Sequence, residues 1–291
     1  MRSKTGIILM GLFFCLIMPC VSVAGVSVTS GLTYEKEAQV GETYRGVIQL
    51  KNTGEEPQEV KIYQTDYLFF CDGRNIYGEP GKDPRSNADW ITFSPHRLTI
   101  PPKGTSQVNF TLEVPGDKAL TGTYWSMIMI EGIFSSSPEA VRQEKDKITF
   151  GISQVIRYGV QMITQIGDTG ARKLKFLKTR LLKKDKGRIL QLDIENIGER
   201  LLRPALWAEL YDEKGKSIGK FEGGKLGVYP TTSVRFRIDL SRVPKGKYKA
   251  LVVADCGGDT LFGATYTFKF KDSVSGANAP ADPAPAKGAG D

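Results

Sequence analysis

The chain writes one pattern twice, and that repetition constrains its fold more than anything else in it. "VPGDKALTGTYWSMIMIE" (residues 114–131) and "VPKGKYKALVVAD" (residues 243–255) both run from Val-Pro through a charged, Gly-bearing turn to Gly-x-Tyr and a β-rich stretch. Upstream the match continues. "VIQLKNTGEEPQEVKIY" (47–63) reads as a strand, a turn at Asn52-Thr53-Gly54 and a second strand. "ILQLDIENIGERLLRPALWAELY" (189–211) does the same around Asn196-Ile197-Gly198. "PPKGTSQVNFTLEVP" (101–115) is matched by "PTTSVRFRIDLSRVP" (230–244). The interval to the closing Val-Pro is 13 residues from Pro102 and 14 from Pro230. Matching features in one order, twice, define an internal repeat, which outranks any single motif as a guide to architecture.

Within each copy the period is two. Val108, Phe110, Leu112 and Val114 alternate with Gln107, Asn109, Thr111 and Glu113; Val234, Phe236, Ile238 and Leu240 alternate with Ser233, Arg235, Arg237 and Asp239. One apolar and one polar face per strand is the signature of antiparallel sheets laid on a core. Past the N-terminal segment nothing holds a helical period for more than a turn or two. The expected fold is therefore all-β, two tandem immunoglobulin-like β-sandwich domains. Their expected bounds are 25–166 and 171–271, with the junction in "TQIGDTGARK" (164–173). Each Val-Pro…Gly-x-Tyr should be the corner where one strand turns into the next long core strand. A hydrophobic share of 40% supplies the apolar material for two cores. The last residues, 272–291, are Ala, Pro, Gly and Asp with little to bury, and are expected to be a disordered tail.

The N-terminus reads as an export signal. Arg2 and Lys4 precede an apolar run (residues 6–21), and "SVAG" (22–25) sets small residues at the cleavage positions. This predicts a signal peptide over residues 1–24, cut after Ala24. The run is shorter than the roughly 20 residues a membrane span needs, so no span is expected in the mature chain. Export places the protein in the periplasm or outside the cell and disfavours nucleic acid as a partner. Cleavage lowers the net charge from +8 to +6 and leaves two cysteines, Cys71 and Cys256. They lie in different halves, so a bridge would staple the two domains together; two separate, partly buried thiols are the alternative.

No catalytic constellation is legible. His96, the one histidine, follows Pro95 in a turn with no nucleophile signature beside it, and one His with two scattered Cys cannot make a zinc site of the usual spacing. Gly257 and Gly258 precede no helix and fit a hairpin turn. No enzyme activity, metal or cofactor is expected. The basic run Arg172, Lys173, Lys175, Lys178, Arg180, Lys183, Lys184, Lys186 and Arg188 has two readings. It is either a charge-protected edge hairpin or a surface for an acidic envelope polymer, and the first is preferred. In it Leu174, Phe176 and either Leu181 or Leu182 are the core candidates.

The segment "ITFGISQVIRYGVQMIT" (148–164) is the most informative for function. Ile148, Phe150, Ile152, Ile156, Tyr158, Val160 and Met162 share one face, broken only by Gln154, and a polar stretch (135–147) precedes them. At about 3.3 Å per residue such a strand is long for a small sandwich. Either the whole face packs in its own core, or part of it is lent to another protein by β-strand addition.

With "GVIQLKNTG", "SNADWITFSPHRLTIPPKG" and "TFGISQVIRYGVQ", the chain from Val26 to Phe270 resembles the periplasmic pilus-chaperone family. The resemblance implies an exported two-domain protein whose strand over residues 148–162 completes a pilus or other surface-structure subunit. In that family two basic residues, one in the first strand and one in the donated strand, hold a subunit's C-terminal carboxylate. Arg157 matches the second. The first strand, "VSVTSGLTYEKEAQV", carries no Arg, and Lys36 lies late in it. The expected partner-binding residues are thus Ile148, Phe150, Ile152, Ile156, Arg157, Tyr158, Val160 and Met162. The competing expectation is a structural or adhesive surface module that binds an envelope polymer or protein through its loops.

Overall fold

The computed structural model describes residues 25–133, 156–184 and 187–270. The first half runs β1 (Val26–Val28), β2 (Thr33–Ala38), β3 (Thr43–Asn52), β4 (Gln58–Phe69) and β5 (Asn75–Gly78). A single 3-10 turn (Ala88–Trp90) follows, then β6 (Ile91–Ser94), β7 (Arg97–Ile100), β8 (Thr105–Glu113), β9 (Gly122–Ile133) and β10 (Arg157–Ile166). The second half continues with β11 (Leu174–Lys184), β12 (Gly187–Asn196), β13 (Ala205–Tyr211) and β14 (Ser217–Lys225), and ends with β15 (Ser233–Asp239), β16 (Gly246–Asp255) and β17 (Leu261–Phe270). Among the described residues no helix is long and apolar enough to cross a membrane.

Four sheets form two sandwiches. In the first, β1-β3-β8-β6 faces β2-β10-β9-β4, with β5 and β7 pairing to successive stretches of β4. In the second, β11-β12-β15 faces β14-β13-β16-β17. The period-two pattern explains why. Val108, Phe110 and Leu112 of β8 are buried while Gln107, Asn109 and Glu113 are exposed. In β15, Val234, Phe236 and Ile238 are buried and Arg237 and Asp239 are exposed. Each such Val, Leu, Ile or Phe contributes roughly 1.5–3 kcal/mol by leaving water, and the two sets fill separate cores. The fold class read from the sequence is the one observed.

The repeat extends to buried polar atoms. Asn52 and Asn196, both fully buried, close the same turn: each side-chain carbonyl accepts the N–H of the glycine two residues on, Gly54 or Gly198. The amide of Asn52 donates to the carbonyls of Glu56, Ile100 and Pro101; that of Asn196 donates to those of Arg200 and Val228. Buried backbone carbonyls need such donors, so the turn is written Asn-x-Gly both times. The strands on either side of it enter opposite sheets, so in each sandwich the turn carries the chain from one layer to the other.

In the basic run β11 is an edge strand, hairpin-paired to β12 alone. Lys175, Lys178, Arg180 and Lys183 are exposed along it, as the edge-hairpin reading expects. A register shift between Phe176 and Lys178 changes the parity of the inward positions. Leu174, Phe176 and Leu181 therefore reach the core, and Leu182 is left exposed. Cys71 and Cys256 are free thiols, each partly buried.

A third, smaller cluster joins the sandwiches: Trp125 and Ile163 from the first meet Leu201 and Tyr229 from the second, with Leu68 and Phe69 against them. Glu199 organises the polar part. Its carboxylate accepts from Arg85, from the N–H of Ala171 and from the Thr121 hydroxyl, and its main-chain carbonyl accepts the N–H of Thr123 at 2.8 Å. Ala171 N–H and the Arg85 guanidinium hold the Glu199 carboxyl below its ordinary pKa. Arg203 forks onto Glu35, and Arg200 donates to the carbonyl of Gly167 and lies 3.3 Å from Asp168. The two corner glycines part ways here. Gly122 has φ +75° and a Cβ added to it would sit 2.2 Å from the Glu199 carbonyl oxygen; Gly246 meets only the ring of its own neighbour Tyr248.

Candidate partner-binding strand

The strand singled out by the sequence is β10, and its two edges differ along its length. One edge is fully paired, antiparallel to β9 from Arg157 opposite Glu131 to Ile166 opposite Gly122. The other is covered only in part: β2 pairs with it in parallel from Gln161 opposite Thr33 to Ile166 opposite Ala38. The cause lies in the N-terminal segment, which runs with the other sheet as β1 and crosses over between Val28 and Thr33. Arg157 to Val160 therefore present a backbone edge with no strand partner among the described residues. Gln161 N–H points to that side, donating to the Leu32 carbonyl at 2.9 Å. Alternation along a strand turns the N–H groups of Arg157 and Gly159 the same way.

The side chains are distributed otherwise than the apolar pattern suggests. Val160 and Met162 are fully buried in the first sandwich's own core, and Tyr158 packs against it partly covered. The expectation that these residues are offered to a partner fails for Val160 and Met162. That face of the sheet looks onto the opposite sheet, and removing either would leave a void. Ile156 is half-buried just before the strand begins. Ile148, Phe150 and Ile152 lie outside the described residues, as do residues 1–24 and 272–291.

Arg157 is the exposed cation of the strand, its side chain 58% accessible, and it pairs with Glu131 of β9 at 3.1 Å. Glu131 also accepts the Tyr63 hydroxyl at 2.9 Å. Burial, then the Glu131 carboxylate, pushes the Tyr63 pKa up. The other cation suggested by the family resemblance, Lys36, pairs with Glu42 and lies over the Tyr44 ring. Both cations already hold a carboxylate of the same chain, so an incoming carboxylate would have to displace one. His96 is exposed in its turn, edge-on to Phe93. Among the described residues no group of three or more His, Cys, Asp or Glu is placed to hold a metal ion.

What sequence reasoning missed is the junction. A polar cavity of about 510 Å³ opens there, its lining including Gln165, Asp168, Arg200, Arg203 and Cys256. One signal for it was on view: "GTYWSMIMI" in β9 is buried on both faces. A continuous run of that kind, where alternation is the rule elsewhere, marks a strand covered twice. Trp125 is covered by the second sandwich, and Met127 and Met129 close over Gly159.

Fold and strand together define a two-sandwich β-protein with one half-covered strand in its first sheet pair. No family model matches the chain, and no curated protein does. Solved structures similar to it include fimbrial chaperones. The class 5 fimbriae chaperone CfaA is 13% identical at TM-score 0.44, with 83% of this chain and 98% of that one covered. The CsuC–CsuE chaperone–tip subunit complex of archaic Csu pili from Acinetobacter baumannii is 14% identical at TM-score 0.42, covering 83% and 98%. The E. coli chaperone DraB is 14% identical at TM-score 0.36, covering 85% and 97%. At these scores the likenesses carry no functional argument, and the fold rests on this chain's own sheets.

Proposed function

We propose that this protein is an exported, chaperone-like binding protein that engages subunits of a pilus or other surface structure by β-strand addition. The observation that carries the reading is the uneven cover of β10 among the described residues: paired on both edges from Gln161 to Ile166, on one edge only from Arg157 to Val160. A partner strand docked there would gain main-chain hydrogen bonds from Arg157 and Gly159 and continue the sheet where β2 stops. Selectivity would come from the side chains of Ile148, Phe150, Ile152 and Ile156 upstream, with Arg157 as a tether once released from Glu131. Val160 and Met162 serve as core anchors that hold the edge in place.

The test compares Arg157→Pro with Arg157→Ala. Both remove the guanidinium, but only proline removes the outward N–H, at the first residue of the strand where proline is tolerated. Each variant is co-expressed with an aggregation-prone, β-rich pilus subunit, and recovery of soluble complex is measured. Arg157→Pro should lose at least tenfold more complex than Arg157→Ala. A folded Arg157→Pro variant that keeps the subunit soluble as well as the unaltered protein rejects strand addition at this edge and leaves loop-mediated binding in its place.

A further inference from the structure

Edge strands invite pairing with other chains, and proteins blunt them by shortness, charge or bulges. Apart from the stretch of β10 that β2 leaves uncovered, eight of the nine edge strands seen among the described residues are blunted. β1 has three residues and β6, β5 and β7 four each. β2 carries Glu35, Lys36 and Glu37, β11 its row of lysines, and β15 Arg235, Arg237 and Asp239. β14 has two register shifts against β13 besides Lys220, Glu222 and Lys225. The ninth is β17. It is 10 residues long, pairs with β16 without a register shift, and has no partner on its other side among the described residues. Its outward row is Leu261, Gly263, Thr265, Thr267 and Lys269, with a single charge at the far end. Leu261 is 58% exposed.

We infer that β17 is a self-association edge, pairing antiparallel with β17 of a second copy of this chain about a two-fold axis at Thr265. The charges select both the occupant and its direction. Along the β16–β17 ladder, Lys247 lies beside Lys269 at one end and Asp255 beside Leu261 at the other, with Asp259 in the adjoining turn. With Lys249 beside Thr267 as well, the edge is basic at one end, acidic at the other and uncharged around Thr265 and Gly263. Antiparallel self-pairing centred on Thr265 sets Lys269 of each copy opposite Leu261 of its partner, so the basic end of each meets the acidic end of the other. Parallel pairing would instead align Lys247 and Lys269 of both copies in one row, which like-charge repulsion disfavours. The pairing joins two four-stranded sheets into one of eight, over about 34 Å of ladder, and closes by symmetry so that growth stops at two.

Sedimentation equilibrium on the full chain between 10 and 200 μM tests this. The unaltered protein should be a dimer at the upper end of the range. Leu261→Lys, a surface change that places a lysine opposite the partner's Lys269 at each end of the ladder, should weaken dimerisation by about tenfold. Leu261→Lys combined with Lys269→Glu should restore it, because only the antiparallel register brings those two positions together. A chain that stays monomeric at 200 μM overturns the inference. So does a dimer indifferent to Leu261→Lys, a double variant that is not rescued, or a dimer lost instead in Arg157→Pro, which would be built on β10.

Discussion

Replacing Gly122 by alanine should uncouple the two sandwiches, and the size of the effect can be worked out from the junction. The residue sits at φ +75°, where a Cβ costs about 1–2 kcal/mol. That Cβ would also lie 2.2 Å from the carbonyl oxygen of Glu199. The obstacle is backbone, so no rotamer change relieves it, and the second sandwich must withdraw by more than 1 Å to reach an ordinary contact. Withdrawal breaks the Thr123 N–H to Glu199 bond and the bond from Leu201 N–H to the Thr123 hydroxyl, both 2.8 Å, at about 1 kcal/mol each. The total is about 3–4 kcal/mol, taken from the junction and not from either core. In urea the unaltered chain should unfold in one transition, because Trp125 and Tyr229 tie the cores together. Gly122→Ala should give two, with Trp125 reporting the earlier change and Trp207 of the second sandwich the later. Gly246→Ala is the control from the other copy of the repeat: its added Cβ meets only the Tyr248 ring, so it should destabilise locally and leave a single transition. A Gly122→Ala curve within about 1 kcal/mol of the unaltered protein would refute the reasoning.

Asn196→Ala should cost about 2–3 kcal/mol, since it strands the carbonyl of Arg200 and the N–H of Gly198 and leaves the Val228 carbonyl with Leu202 N–H alone; urea unfolding checks it, and a loss under 1 kcal/mol would contradict the role given to the turn. The depressed pKa of Glu199 means its stabilisation is fully present above about pH 4.5 and is lost as pH falls through the lower folded value. Trp125 fluorescence followed from pH 6 to 3 should therefore show a junction transition that is missing in Glu199→Gln. Burial raises the Cys256 thiol to about 11, roughly a hundredfold less thiolate at pH 8 than an unperturbed thiol with a pKa of 9 would carry. Alkylation timed by mass spectrometry should be slow at Cys256 in the native chain and fast once urea opens it; equal rates in both states would contradict that burial.

The sandwiches were legible because period-two burial is a local property: Val108 to Val114 and Val234 to Leu240 state their inward faces within one strand each. Edge cover is not local. Whether Arg157 or Gln161 has a neighbour depends on where the N-terminal segment changes sheets, a hundred residues and more away, and nothing near residue 157 records it. The same holds for Val160 and Met162, whose alternation reads alike whether the face meets its own core or a guest. The junction draws on Arg85, Trp125, Ile163, Glu199 and Tyr229, which no spacing rule connects. Only the unbroken apolar run of β9 hinted that something covered its second face. The alternative between Leu181 and Leu182 stayed open in the sequence because the register shift after Phe176, which turns Leu181 inward, leaves no local mark.

The parallel seat of β2 against β10 also has a consequence for the order in which the molecule takes shape. Thr33 emerges early in synthesis, yet its ladder partner, Gln161, is made more than a hundred residues later. Closing so long a loop carries an entropic cost that local hairpins such as β11–β12 escape. The segment from Thr33 to Ala38 should consequently be the last piece to dock, and until it does the edge of β10 facing away from β9 stays uncovered along its whole length. A newborn chain would thus expose a far longer adhesive margin than the finished one, which makes premature association a hazard of its infancy.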